Sequence, residues 1–351
     1  MKYAVGLSGG VDSSVAALLL KEAGHEVVGV TMKLWREGVY KGGDRDACFG
    51  AHEVEDIESA RRLAERLGIE YRVFDCFDAY NSGIIDYFRR TYLAGKTPNP
   101  CVRCNATLKF GLLPKLARES GLAFDKFATG HYARIVTAPE GRLAVARAAD
   151  ESKDQSYFLY RLSQEQLSGI EFPLGGLTKT EVREIARRNG LDVADRRDSQ
   201  DFYSGDQNEL IGEADRPGDI VDLSGKVLGR HTGFWHYTIG QRKGLGIGGG
   251  TPYYVVDVNA CRNQVVVGSA QDAVRTSLEV EDIVYGALSP QAAEASVPCL
   301  VKVRSAGAPK GPAEFDGRTC RFPGGISGVA RGQSAVFYSP EGVVLAGGII
   351  V

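Results

Sequence analysis

The chain has no surplus of charge of either sign: 42 Lys and Arg stand against 44 Asp and Glu in 351 residues, a formal net charge of −2. A protein that clings to any nucleic acid through its phosphates needs a clear excess of cations, so that class is excluded. A polyanionic partner must instead meet a local basic face. Long hydrophobic runs are also missing, and no stretch approaches the roughly 20 apolar residues that span a bilayer. The opening residues, Met1 to Gly10, hold one Lys and a very short apolar run before Ser8, too little for the apolar core of a secretion signal. The expectation is a cytoplasmic protein with no membrane partner. Cysteine is scarce: Cys48, Cys76, Cys101, Cys104, Cys261, Cys299 and Cys320 are too few and too scattered for a disulfide scaffold, and the odd number fits reduced thiols.

What is present is ordinary for a globular protein, with 43% hydrophobic and 25% charged residues, and this composition excludes intrinsic disorder. Strand and helix signals alternate through the first 75 residues. Lys2–Leu7 reads as a short strand, Val11 to Lys21 carries an apolar helical face with Gly24 as its stop, and Glu26–Thr31 reads as a second strand. The segment around Glu58–Leu67 repeats the helix signal, and Tyr71–Phe74 follows as a third strand. Such alternation predicts an α/β fold with a doubly wound parallel sheet. Lys179–Asn189 is still helical. After about Asp206 the helix period fades and Gly-rich turns separate short Val- and Ile-rich runs. The predicted division is a parallel α/β domain over 1–205, a small β-rich central domain over 206–272 and a C-terminal β-barrel over 273–351.

The segment with most chemical content is Gly6-Leu7-Ser8-Gly9-Gly10-Val11-Asp12-Ser13-Ser14, between the first strand and the first helix. Two glycines let backbone amides wrap an anion, and the following helix aims the positive end of its dipole at it. No Lys follows the glycines, so this is not the Gly-Lys-Ser/Thr loop of nucleoside triphosphatases; the Gly-x-Gly-x-x-Gly dinucleotide spacing is absent too. The string resembles the pyrophosphate-binding loop of enzymes that split ATP between its α and β phosphates and transfer AMP to an oxygen.

Adenylation makes an oxygen into a leaving group, and a nucleophile must then displace AMP. Thr97-Pro98-Asn99-Pro100-Cys101-Val102-Arg103-Cys104-Asn105-Ala106-Thr107-Leu108-Lys109-Phe110-Gly111 offers thiols flanked by Arg103 and Lys109, cations expected to favour the thiolate. Together with Gly130-His131-Tyr132-Ala133-Arg134, Lys153-Asp154-Gln155-Ser156-Tyr157-Phe158-Leu159, the stretch Thr238 to Gly246 and the stretch Gly332 to Tyr338, these motifs resemble the tRNA-specific 2-thiouridylase family, in the same order across nearly the whole chain.

The resemblance implies an ATP-dependent tRNA-uridine 2-sulfurtransferase that adenylates the C2 oxygen of wobble uridine 34, releases pyrophosphate, and installs sulfur with release of AMP. It implies ATP held by Gly6, Leu7, Ser8, Gly9, Gly10, Val11, Asp12 and Ser13, with Met32 near the adenine and Gly130 on the nucleotide. Cys104 takes the catalytic position, and His131, Lys153, Asp154, Gln155 and Gln333 match positions that meet tRNA. Magnesium accompanies ATP, with Asp12 as its ligand or as an aid to pyrophosphate departure. The partners are tRNA bearing U34 and a sulfur-donor protein or sulfide, and the expected state is a monomer.

One departure from the family pattern leaves the sulfur chemistry open. The family's better-known form has Asp three residues before the catalytic cysteine and a second cysteine in an Asp-Ser-x-x-x-Cys-Phe type segment. Here Cys101 replaces the Asp, and Asp198-Ser199-Gln200-Asp201-Phe202-Tyr203-Ser204-Gly205-Asp206 holds no cysteine. Either Cys101 resolves a Cys104 persulfide, or Cys48, Cys101 and Cys104 hold an iron–sulfur cluster of the 4Fe-4S kind with one open iron. A zinc site lacks a second Cys-x-x-Cys or a nearby His pair. Cys76, Cys261, Cys299 and Cys320 read as small core residues. The rival functions are another adenylating ligase, as in argininosuccinate synthesis, and a non-catalytic RNA-binding protein.

Overall fold

The computed structural model describes residues 1–42, 47–194, 196, 201–203, 205–248, 250 and 252–351. The chain groups into two compact units: Met1–Ile85, Pro100–Leu210 and Gly342–Val344 form one, and Asp86–Asn99, Ile211–Glu341 and Leu345–Val351 form the other. Among the described residues, no helix is long and apolar enough to cross a membrane.

The first unit is built on a five-stranded sheet in the order Glu70–Asp75, Glu26–Lys33, Lys2–Gly6, Lys126–Thr129, Ile170–Glu171. Every neighbouring pair is parallel, as the strand–helix alternation predicts. Lys2–Gly6 is central, and Tyr3, Ala4 and Val5 are all buried, which is why that strand reads as a continuous apolar run. The chain leaves this strand toward Glu26–Lys33 on one side and returns to Lys126–Thr129 on the other. The carboxyl end of Lys2–Gly6 is therefore the topological switch point, the place where open parallel sheets hold ligands.

Helix Val11–Glu22 starts at that end and packs Val15, Ala16, Leu18 and Leu20 into the core beside Val182 and Ala186 of helix Lys179–Arg188. Helix Glu53–Leu67 begins earlier than its apolar stripe at Ala60, Leu63, Ala64 and Leu67 implies. Its first turn holds Glu53, Glu55 and Asp56, which suit the positive end of the helix. The carboxylate of Glu53 also accepts hydrogen bonds from the amides of Leu34 at 2.6 Å and Trp35 at 2.9 Å.

The second unit is β-rich. Val227–His231, Gly218–Val221, Gln264–Gly268 and Tyr254–Asn259 lie in that order in a four-stranded sheet. Val274–Tyr285, Thr319–Ser327, Lys310–Phe315, Val297–Lys302, Ser334–Tyr338 and Val344–Ile350 close a six-stranded barrel. Closure leaves no exposed edge, and the interior is filled by Leu278, Val301, Phe315 and Phe337, with the last two rings stacked at 4.1 Å. Cys299 and Cys320 are buried here and Cys76 is buried in the first unit; Cys261, expected in a core, is exposed. It follows strand Tyr254–Asn259 in a turn whose Asn263 has φ 54°, so its side chain has no sheet to pack against.

Candidate active site

The loop after Lys2–Gly6 is drawn tight by its own serines. Ser8 N–H donates to Ser13 Oγ at 3.1 Å, and the hydroxyls of Ser13 and Ser14 donate to the Gly10 carbonyl at 3.2 and 2.8 Å. Gly9 has φ 71°, and a Cβ there would lie 2.4 Å from the Asp56 carbonyl oxygen, so no other residue fits. The Gly9 carbonyl accepts from Ser59 at 3.2 Å and from Arg196 at 2.9 Å; the Arg196 guanidinium also pairs with Asp56. Gly10 caps helix Val11–Glu22 without a side-chain cap bond. The loop thus ends at the positive end of a twelve-residue helix, whose first amides have no helical partner, an arrangement suited to an anion.

Gly130 closes the same region. A Cβ on it would lie 2.5 Å from both the Asp12 carbonyl carbon and the Ser13 nitrogen, so the Thr129–His131 backbone passes directly over the first helical turn. Met32 lies half-buried near the end of Glu26–Lys33. Asp12, in that first turn, is held by two groups the sequence reading did not single out. Lys179 Nζ lies 2.7 and 2.8 Å from its two carboxylate oxygens, and the Tyr132 hydroxyl donates to Oδ1 at 2.8 Å. The signal for Lys179 was legible: Thr178-x-x-Glu181 forms a capping box and makes Lys179 the first residue of its helix.

The Lys153–Gln155 motif reaches this network from the other side. Gln155 Oε1 accepts from the Tyr132 amide at 2.8 Å, and the Gln155 amide donates to the Tyr132 carbonyl at 2.9 Å. Asp154 has a side chain only 1% exposed and accepts from the amides of Ala148 and Ser156 and the Ser156 hydroxyl. Asp154 and Gln155 thus shape the loop from within, and Lys153 beside them is half-buried. His131 receives or gives a hydrogen bond with Thr129 at 2.7 Å between Phe110 and Phe172. Burial, with the nearby Lys109 cation, drives its pKa well below the usual imidazole value. His131 is thus a neutral group, not a cation for phosphates.

Cys101 and Cys104 lie three apart on helix Pro100–Cys104, so both thiols share one face. A π-helical stretch, Asn105–Leu112, follows, and Gln166 ties it down by donating to the carbonyls of Ala106 at 2.8 Å and Phe110 at 3.1 Å. The expectation of a thiolate favoured by neighbouring cations is overturned for Cys104. Burial pushes its thiol up to about 11; Lys109 opposes this without cancelling it. Arg103 turns away and donates to the Gly83 carbonyl at 2.9 Å. Tyr80 is buried, and burial first, then the Cys104, Cys101, Cys48 and Glu53 groups, raises its hydroxyl well above the usual value.

Residues 1–203 match the family described as the tRNA methyl transferase HUP domain, and residues 208–269 match the tRNA methyl transferase PRC-barrel domain. The tRNA-specific 2-thiouridylase MnmA of Endomicrobium trichonymphae is 44% identical over 360 residues, covering 100% of this chain and 99% of the relative. That of Chloroflexus aurantiacus is 46% identical over 358 residues, covering 99% and 97%. That of Bradyrhizobium sp. strain ORS 278 is 45% identical over 367 residues, covering 99% and 90%. The chain belongs to the tRNA-specific 2-thiouridylase MnmA family.

Against the MnmA pattern described above, the segment that ought to hold a second cysteine is only partly in view. Asp198, Ser199, Gln200 and Ser204 lie outside the described residues, as does Arg197. Asp201–Tyr203 forms a strand that pairs in parallel with Ala47–Phe49, so Cys48 sits on the strand beside it. Among the described residues, no three His, Cys, Asp or Glu side chains converge as metal ligands do, the set Cys48, Cys101 and Cys104 included. In the other unit of this MnmA-family chain, Gln333 holds the Pro98–Asn99 segment: its Nε2 donates to the Pro98 carbonyl at 2.6 Å, and its Oε1 accepts from Asn99 Nδ2 at 3.5 Å. Arg183 donates to the carbonyls of Ala194 and Arg196 at 2.7 and 2.9 Å and so holds the turn that delivers Arg196 to the Gly9 loop.

Proposed function

We propose that this chain is a tRNA-uridine 2-sulfurtransferase that thiolates C2 of wobble uridine 34, acting as a cytoplasmic monomer with domains over 1–205, 206–272 and 273–351. The observation that carries the reading is the presence, in one compact unit, of an anion-binding loop at the sheet's switch point and the Cys101/Cys104 pair. In this reading Gly6 to Ser13 hold the phosphates of ATP, with Met32 and Gly130 beside the nucleotide. The uridine C2 oxygen attacks the α phosphate and pyrophosphate leaves. Cys104, loaded as a persulfide by a donor protein or by a sulfide source with an oxidant, attacks C2 through its terminal sulfur, and AMP departs. The Cys101 thiolate then attacks Cys104 Sγ. The S–S bond to the uridine breaks, 2-thiouridine is released, and a Cys101–Cys104 disulfide remains for a cellular dithiol to reduce.

His131, Lys153, Asp154, Gln155 and Gln333 shape the surfaces that receive tRNA, Lys153 by charge and the others by fixing the backbone. The donor set does not fit an iron–sulfur cluster as placed, and no step is routed through one. Asp12 offers no ready magnesium ligand, because Lys179 occupies both of its oxygens; its role is to act with Lys179 beside the departing pyrophosphate. The words methyl transferase in the matching domain descriptions favour a different group transfer, but methyl transfer uses neither an ATP-splitting loop nor a thiol pair.

The test is direct. With ATP, magnesium, a persulfide donor and tRNA bearing U34, the protein should form 2-thiouridine, detected by mass after digestion, and one AMP per thiolation. Absence of both products overturns the reading. Cys101→Ser should stop multiple turnover while allowing a single one, and Cys48→Ser should leave turnover intact; a folded Cys48→Ser protein without activity would replace the thiol pair by a three-cysteine site.

A further inference from the structure

The geometry points to Lys179 as a positioning residue of the ATP site: its ammonium holds and neutralises the Asp12 carboxylate at the mouth of the pyrophosphate loop, so that the first turn of helix Val11–Glu22 can receive an anion. This rests on the ATP-splitting reading and deepens it.

Asp12 stands in the first turn of a twelve-residue helix. A carboxylate there suits the helix dipole, but it occupies the positive end that a phosphate needs and would repel it. Lys179 removes that conflict with a charge-assisted pair to both oxygens, at 2.7 and 2.8 Å. Lys179 is only 8% exposed, and a buried ammonium persists only where it is paired.

Its position is set independently of Asp12. The Thr178/Glu181 capping box fixes the start of the helix, and the Lys179 amide donates to Asp150 Oδ2 at 2.9 Å. The Tyr132 ring lies 5.7 Å from Nζ, and the hydroxyl of the same ring donates to Asp12 Oδ1 at 2.8 Å. Two separate segments therefore converge on one carboxylate, and the aromatic one is the segment that Gln155 holds from the other side. A plain structural staple between two helices would need only the ion pair. Here the pair stands at the anion-binding turn itself, where removing its positive half changes the charge that an incoming pyrophosphate group meets.

The experiment titrates α,β-methylene-ATP with magnesium into the full chain by calorimetry, for wild type, Lys179→Met, Asp12→Asn and the double variant, each shown to be folded by circular dichroism. Lys179→Met should weaken the analogue at least tenfold, because an uncompensated carboxylate remains, and the double variant should recover most of that loss. Binding of U34 tRNA should be unchanged throughout. Lys179→Met that binds the analogue as wild type does would make the lysine a staple and overturn the inference. Should Lys179→Met not fold, the remaining pair decides: Asp12→Asn, which keeps the cation alone, should bind the analogue several-fold tighter than the double variant, and equal affinities overturn the inference. A wild-type protein that binds no analogue and forms no AMP would instead sink the ATP-splitting reading itself.

Discussion

Cys104 shows how burial and neighbouring charge compete at a single atom. Arg103 and Lys109 flank the thiol in sequence, yet only the Lys109 cation acts to lower its pKa, and desolvation wins. The reactive form is the thiolate, so the rate of alkylation at Cys104 should climb about tenfold per pH unit and level off only near 11. Iodoacetamide labelling with peptide mapping at short times checks this; a plateau near pH 8 would mean that cations dominate. The loop glycines illustrate a different economy of space. Gly9 is needed for its positive φ and for the nearness of Asp56, whereas Gly130 is needed only because the Asp12–Ser13 backbone passes 2.5 Å from where a Cβ would be. Both glycines were singled out as nucleotide contacts from their motifs, but close approach of two backbone segments has no pattern in a single sequence.

Among the elements, helix Lys179–Arg188 carries more than its apolar face of Val182 and Ala186 suggests. Its capping box sets where Lys179 stands, and Arg183 holds the turn that brings Arg196 to the Gly9 carbonyl. Thr178→Ala removes one half of the box and should lower stability by about 1 kcal/mol, seen as a lower denaturant midpoint at unchanged slope. Because the loosened turn begins with Lys179, the same variant should also raise KM for ATP while leaving KM for tRNA unchanged. Equal effects on both would show that the helix supports the fold alone. The helix itself was legible in its 3.6-residue period, and strand Lys2–Gly6 in its short apolar run. The early start of helix Glu53–Leu67 was not, since its first turn is held by charge and by amides of Leu34 and Trp35, which lie far away in sequence.

For the molecule as a whole, near-neutrality decides how tRNA can be held. With a net charge of −2, binding must rest on a few local cations and on shape, so the slope of log affinity against log salt should be shallow. A duplex loses about 0.9 of slope per phosphate contact, and filter binding of U34 tRNA from 50 to 200 mM salt should give a slope corresponding to only a handful. A slope near −10 would point to a broad basic surface. The alternation of strands and helices and the later β-rich runs determined the class of both units, because each periodicity already encodes which face is buried. Motif order determined the family, since those residue types recur at fixed spacings along the chain. Only the tertiary structure brought Lys179 and Tyr132 to Asp12 and set Cys48 beside residues 201–203. It alone also joined Asp86–Asn99 to the β-rich unit, where Thr97 and Pro98 meet Arg331 and Gln333. Those partners are separated by more than 100 residues of chain, and their meeting depends on sheet order and barrel closure, which no local pattern records.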